Sequence, residues 1–474
     1  MTELIVGPFN RVEGDLEVRL DIEDGAVSGA YANSPLFRGF EKMLAGADPR
    51  DALTLTPRIC GICSISQSAA AARALADAAG VEMPEQGGIA ASILHGVENL
   101  ADHITHFYLF FMPDFARPVY QGREWYDEIV TRFTATKGTA AKAALDARAR
   151  LFHITGILGG KWPHTLAIQP AGVTRTPTAA ERVRMNSTLK AFRRFLETHL
   201  FGAPVEAFLA LKTSGDLDTW KTGDAGLFLQ AARDLNLGGL GVGPRRYLSY
   251  GAYPKPDGRT TKQGLWSGGV IHDIDPGGIV EDVARSWMLG PSANPFEGLT
   301  QPDEEMSETG YSWCKAPRLN GETAEVGALA RNVVDGHPLA LSVAEQGGVT
   351  ARIAGRILEI ARTQVWLEDW VNALDPSQTF MGDFDVPREG RGIGLVEAAR
   401  GSLGHWVVIK DGRIANYQIV APTTWNFSPR DGSDAPGPLE AALVGAPVGA
   451  GETAPVSVQH IVRSFDPCMV CTVH

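Results

Sequence analysis

Four of the five cysteines in this chain of 474 residues fall into two Cys-x-x-Cys pairs, Cys60/Cys63 and Cys468/Cys471. In such a pair two thiolates can turn toward one metal, and soft sulfur selects soft or borderline metals. Structural zinc, redox chemistry and one shared metal are all open to pairs of this kind. Zinc pairs that staple a small module lie about 15–20 residues apart. Here nearly the whole chain intervenes, and a chain this long builds a core without a staple. A thioredoxin-like pair would follow a strand in a βαβ unit, and one pair would suffice. The spacing favours one shared metal site, with zinc and redox chemistry as the alternatives. Ends that meet at one site predict a single compact domain over residues 1–474.

The elements that would position these thiols are legible as patterns. Ser64 to Ala79 is alanine-rich and stops at Gly80, which predicts a helix with Cys60 and Cys63 at its N-terminal end. Backbone N–H groups there favour thiolate charge. A short helix at 456–465 leads into the second pair, and another is expected at 437–446. Residues 16–31 alternate as a hairpin around Asp24-Gly25, and 405–420 do the same around Asp411-Gly412. Long helices are expected at 87–112 and 348–374, with others at 121–135, 137–157, 178–201 and 224–235. The stretch Val183 to His199 reads as amphipathic with a solvated face. His103 and His106 share a helical face, but no carboxylate or cysteine stands at ligand spacing, so they read as core and supporting residues. Residues 238–310 are rich in Gly, Pro and Asp and read as irregular. No repeat, low-complexity tract or linker is evident.

Composition bounds the partners. The net charge is −12 and the pI about 5.5, which argues against nucleic acid and against a basic membrane-facing surface. No apolar run approaches the roughly 18 residues of a membrane span. Met1 to Val6 holds no basic region followed by an apolar core. Cysteines paired at this distance fit a reducing compartment, so a cytoplasmic location is expected.

The flanks of the two pairs carry a resemblance. Arg58-Ile59-Cys60-Gly61-Ile62-Cys63 and Asp466-Pro467-Cys468-Met469-Val470-Cys471-Thr472-Val473-His474 resemble the large subunit of nickel–iron hydrogenases. The resemblance implies a mainly helical fold with small peripheral β-sheets. It implies a nickel held by Cys60, Cys63, Cys468 and Cys471, with Cys63 and Cys471 also bridging to an iron that carries carbon monoxide and cyanide. Heterolytic cleavage of dihydrogen needs a metal for the hydride and a base for the proton. Cys468 is the terminal thiolate expected to act there. Glu13, in Arg11-Val12-Glu13-Gly14, matches a residue that relays the proton outward. Arg400 matches an arginine beside the metals, and Asp102 and Asp466 match carboxylates that orient it. Glu41, His474 and a backbone carbonyl near Val420 match a magnesium site. Tyr311 to Arg318 and Pro422-Thr423-Thr424-Trp425-Asn426 resemble further family stretches. Within the first, Cys314 has no pair and reads as a small buried residue. No cysteines remain for iron–sulfur clusters, so electrons would leave through an iron–sulfur small subunit in a heterodimer. Members of this family can be exported on a signal carried by that partner.

Three positions depart from the pattern. Family catalysts usually carry His where this chain has Gln67, and Asp15 and Ala399 stand where His and Pro are usual. Glutamine can still hydrogen-bond a cysteine sulfur but cannot titrate. Gln67 is similar to the hydrogen-sensing, regulatory group, whose output passes through a histidine kinase. That group also lacks the C-terminal extension that most members lose after nickel insertion, and a processed chain would end at the same residue. The alternatives are an energy-conserving uptake hydrogenase and a non-catalytic scaffold subunit of the complex I type, which has no need of four cysteines.

Overall fold

The computed structural model describes residues 2–255 and 258–474. The chain opens with β1 (Thr2–Val6), β2 (Glu17–Glu23) and β3 (Ala26–Asn33), an antiparallel meander. Val18 and Leu20 point into the core, as the alternation requires. The turn between β2 and β3 sits on Asp24 and Gly25, both at positive φ (52° and 75°), the conformation for which Asp-Gly is selected. The strand β1 was not expected; it pairs along the free edge of β2.

Two helices follow, α1 (Ser64–Ala79) and α2 (Glu85–Thr105). The stretch expected as one helix to residue 112 widens into a π turn at His106–Phe111 and then tightens at Met112–Ala116. The widened turn places the His106 ring so that its Nε2–H donates to the Arg463 carbonyl at 2.7 Å. α3 (Ala179–Phe195) starts at a Thr178/Glu181 capping box and also ends in a π turn, Leu196–Phe201. Of the other expected helices, 137–157 is split into Thr139–Leu151 and His153–Gly159, and 121–135 shortens to Tyr126–Phe133. Helix Gly223–Asp234 lies where it was expected. The irregular 238–310 segment holds only short strands, among them Arg246–Ser249 and Gly264–Ser267.

The C-terminal half adds α4 (Ala328–Val334), α5 (Gly348–Ala373), the meander β4 (Gly390–Ala398), β5 (Gly401–Lys410) and β6 (Arg413–Val420), and α6 (Val456–Phe465). Helices make up 44% and strands 18% of the structure, so the fold is helix-rich, yet not all of its sheets are peripheral. β5 is buried from Gly401 to Val407, because α1 lies across the sheet. That approach depends on Gly392 and Gly394 in β4. A Cβ at either would fall within 2.0 Å of the Ala74 or Ala70 carbonyl of α1. The alanines of the helix and the glycines of the strand are two halves of one close contact. The main apolar cluster runs from Val6 to Cys471 and includes all four paired cysteines, so the chain ends do meet inside.

Ion pairs cross this core. Arg331 of α4 donates to Glu359 of α5 (2.5–3.1 Å), to Glu397 of β4 (2.8 Å) and to the carbonyls of Ala398 and Ala399 (2.7 and 3.0 Å). It thereby sets the turn between β4 and β5, where Arg400 sits. Removing one partner of a buried ionic group strands the others without counter-charge. Arg331→Met should therefore destabilise the protein by about 3–5 kcal/mol. Chemical denaturation of variant and parent measures this, and a difference below about 1 kcal/mol would show that the two glutamates do not depend on Arg331.

Candidate metal centre

The four paired cysteines form one cluster of sulfurs. Sγ of Cys60 lies 3.5 Å from that of Cys468, Cys63 lies 3.3 Å from Cys471, and Cys468 lies 3.0 Å from Cys471. Cys60, Cys63 and Cys471 have sulfurs all within 4.8 Å of one another. All are free thiols and buried, far beyond the roughly 2.05 Å of a disulfide bond. Two sulfurs on one metal, each about 2.3 Å away, stand at most about 4.6 Å apart. The contacts run between the pairs as well as within one of them, so the donor set fits a single soft-metal centre better than two independent redox pairs. The thiols do not share one acidity. Hydrogen bonds from Cys468, Cys471 and Cys63 lower the Cys60 thiol well below its ordinary value, while burial pushes Cys468 and Cys471 up.

Local structure explains how each pair is held. Cys63 is the N-cap of α1. The first turn of that helix is anchored by Glu98 of α2, which accepts the N–H groups of Ile65 and Ser66 (2.9 Å each), the Ser66 hydroxyl (3.1 Å) and Trp162 Nε1 (3.0 Å). Burial pushes this carboxyl up to about 7. On the other side, Asp466 takes a left-handed conformation (φ 60°) and turns the chain out of α6. The residues that follow are stitched to the N-terminal segment: Met469 N–H donates to the Glu13 carbonyl at 2.6 Å, and Glu13 N–H to that of Pro467 at 3.4 Å. Cys468 N–H donates to Thr423 Oγ1 (3.2 Å) and Thr424 Oγ1 to the Thr472 carbonyl (2.9 Å). The Pro422–Asn426 stretch therefore positions the second pair. Arg38 joins the two cysteine loops, donating to the carbonyls of Ile59 (2.5 Å) and Val470, the residues before Cys60 and Cys471.

Burying thiolates requires compensating charge. Arg400 supplies it, with Nη1 on Asp102 Oδ2 (2.6 Å), Nη2 on Asp466 Oδ1 (3.1 Å) and Nε on the Asp466 carbonyl (3.0 Å). Burial opposes its charge, but Asp102, Asp466, Cys468 and Cys60 outweigh that and raise its pKa. Arg356 of α5 donates to Asp466 Oδ2 at 3.2 Å. Burial works against the Asp466 carboxylate too, yet Arg400, His106 and Arg356 hold it below the usual range. Asp102 is pushed up to about 7 by burial. Glu13 is half-buried, and its carboxyl is raised by burial and by the charge of Cys60, against Arg400 and Arg38. Gln67 directs its Oε1 to His405 Nε2 (2.8 Å), whose Nδ1 meets the Tyr417 hydroxyl (2.8 Å). Asp15 is exposed, and the Ala399 carbonyl is taken by Arg331.

A second cluster stands beside the first. Glu41 and His474 are buried around a cavity of about 20 Å³, bordered also by Glu281 and Lys315. The carbonyl that meets the imidazole is that of Ile419, 3.0 Å from His474 Nε2 and one residue before Val420. Glu41 accepts the Ile419 N–H at 2.7 Å and the Thr300 hydroxyl, and burial lifts it to about 7. His474 Nδ1 is buried without a partner, and burial keeps the ring neutral, the state in which imidazole binds a metal. Among the described residues, His103 and His106 bond to Glu359 and the Arg463 carbonyl, as core histidines. Cys314 is buried, and its thiol donates to the Lys315 carbonyl at 3.1 Å.

Sequence reading missed Arg38, Glu98, Thr423, Arg356 and Ile419. Each acts on a residue far away in the chain, so no local spacing marks it. The one available signal was for Glu98, a carboxylate in the middle of the helix expected at 87–112, whose Leu, Ile and Phe content suggests burial.

Comparison with known proteins bears on the same residues. Residues 38–121 and 141–474 match the nickel-dependent hydrogenase family. The chain is 30% identical to the periplasmic NiFeSe hydrogenase large subunit of Desulfomicrobium baculatum, covering 100% of this chain and 95% of that protein. It is 29% identical to the uptake hydrogenase large subunit of Rhodobacter capsulatus, covering 99% and 95%. Among solved structures, the reduced Ni-Fe-Se hydrogenase of D. vulgaris Hildenborough superposes with a TM-score of 0.86 at 29% identity, with 100% of both chains covered. With this family match over most of its length and a relative 30% identical over the whole chain, the chain belongs to the nickel-dependent hydrogenase family.

Proposed function

We propose that this chain is the large subunit of a nickel–iron hydrogenase that oxidises dihydrogen, hands the electrons to an iron–sulfur small subunit, and serves in hydrogen sensing with a histidine kinase downstream. The observation that carries the reading is the convergence of four thiols from both chain ends beside Arg400. Cys60, Cys63, Cys468 and Cys471 would hold nickel, and Cys63 and Cys471 would share an iron bearing carbon monoxide and cyanide. When bound, that group supplies the two-electron chemistry of dihydrogen cleavage. The Cys468 thiolate accepts the proton, and Glu13, whose backbone is bonded across to Pro467 and Met469, passes it toward solvent. Burial and the charge of Cys60 raise its pKa, the direction that favours picking up a proton. Arg400 keeps positive charge against the thiolates and offers donors to cyanide nitrogen.

Glu41, His474 and the Ile419 carbonyl would hold a magnesium ion. The orphaned His474 Nδ1 and a cavity the size of one ion support that site. The only cysteine left over, Cys314, is buried and alone, which supports an iron–sulfur partner as electron acceptor. Gln67 supports the sensing role, because a residue that cannot titrate stands where catalysts carry histidine. The names of relatives such as the Rhodobacter capsulatus uptake hydrogenase favour the second reading, an energy-conserving uptake enzyme. A cytoplasmic location belongs to the sensing proposal.

The first test is an infrared spectrum of the purified complex with and without dihydrogen. Bands of metal-bound carbon monoxide and cyanide that shift under the gas are expected, and they should vanish in Cys471→Ser. Metal-replete protein without such bands would return the cysteines to zinc. Glu13→Gln should keep the bands but lower dihydrogen turnover by about 10²–10⁴-fold, the usual worth of a positioned proton-transfer group; unchanged turnover removes Glu13 from the route. Gln67→His separates the two physiological readings. Turnover should rise in the variant if the native chain is tuned as a slow sensor, and high turnover in the parent itself would favour the uptake enzyme.

A further inference from the structure

A cavity of about 690 Å³ lies beside α1, lined by α1, the start of α2, β4, and Gly251, Tyr253, Pro254, Lys255, Gly258 and Arg259. Its nearest charged wall residue on α1, Arg73, stands ten residues beyond Cys63, or about 15 Å along the helix axis. The volume is that of a small-molecule pocket. Its apolar wall includes Pro84, Ile168, Leu395 and Val396. Its floor is aromatic: His95 and Tyr253 pack edge to face with ring centroids 5.6 Å apart. Both are tied down from behind, His95 Nε2 to the Ser66 hydroxyl (3.0 Å) and the Tyr253 hydroxyl to Asn99 Nδ2 (2.9 Å).

Two guanidiniums border this space. Arg259 is fixed by Nη1, which donates to the carbonyls of Gly251 (2.8 Å) and Leu395 (3.0 Å). Carbonyls hold it in place without cancelling its charge. Among the described residues, neither Arg73 nor Arg259 has a carboxylate within ion-pair distance. Of the acidic groups around them, Asp77, Glu82 and Glu85 on the cavity wall are exposed, and the buried Glu397, which acts on Arg259 by its charge, is already bonded to the Tyr250 N–H (2.7 Å) and Arg331 Nη1 (2.8 Å). Asp77, one turn from Arg73, spends its Oδ2 on the Ile393 N–H at 2.8 Å. Burial lowers both guanidiniums, and Arg73 adds to the lowering of Arg259, to about 10. Among the described residues, these two guanidiniums on one cavity have no ion-pair partner.

We infer that this cavity binds a small organic anion, its phosphate or carboxylate head between Arg73 and Arg259 and its apolar body against His95, Tyr253 and the proline and leucine wall. Guanidinium pairs recognise both kinds of oxyanion through parallel N–H donors. The inference stands apart from the hydrogenase reading, since none of these residues touches the thiol cluster.

Titration calorimetry of the purified complex with phenyl phosphate and with phenylacetate tests it. Saturable binding of at least one probe is expected, and the tighter of the two identifies the head group. Arg73→Gln and Arg259→Gln should each weaken that binding by at least about tenfold. Asp77→Asn should tighten it by about threefold, a gain that a misfolded variant could not produce. Absence of saturable binding by either probe, or binding that none of the three variants changes, would overturn the proposal.

Discussion

The structure depends on keeping charge inside a dry core. Four thiols gathered at one point would repel as thiolates, and burial makes each charge costlier. The answer is a continuous lattice of buried ions. Arg331 bonds Glu359, Glu359 bonds His103, and His103 and Asp466 both take donors from Arg356; Asp466 and Asp102 then hold Arg400. The lattice ties α2, α4, α5, the β4–β5 turn and the end of α6 to the sulfurs. Each link is nearly worthless as an isolated surface pair, but inside the core the loss of any one would leave its neighbours uncompensated.

A site made from the two ends of a chain also needs the ends held in register. Backbone hydrogen bonds between Glu13 and the Pro467–Met469 segment make a short two-stranded seam. Arg38 then bonds the residue preceding the first cysteine of one pair and the residue preceding the second cysteine of the other. The Pro422–Asn426 turn, at the exit of β6, supplies two threonine hydroxyls to the same loop. The buried sheet is thus a platform. It carries Arg400 at one turn, Ile419 near its last strand's end and the threonines just beyond.

Much of this was legible in local pattern. The alanine-rich run before Gly80, the two Asp-Gly hairpins, and the helices leading into Cys468 fall where periodicity and turn chemistry put them. Boundaries moved where tertiary contacts won. The helix through His106 opens into a π turn, and that turn places the ring on the Arg463 carbonyl. The sheet expected at the periphery is buried because Gly392 and Gly394 admit α1. The carbonyl that meets His474 is that of Ile419, a neighbour of Val420, a distinction of one residue that strand pattern alone does not resolve.

By itself the sequence determined four soft sulfurs in two pairs, while the carboxylates, the arginine and the terminal histidine were marked only by resemblance to a family. Residue type and spacing within about four positions suffice for the pairs, because they govern which groups one helix end or one turn can present. Only the tertiary structure decided which distant groups compensate one another. Arg38 between the cysteine loops, Glu98 at the first turn of α1, Arg356 on Asp466, and Arg73 with Arg259 on one cavity bring together residues from separate elements. Their physical basis is burial, which strengthens each charge and each unmet hydrogen bond only once the chain has closed around it.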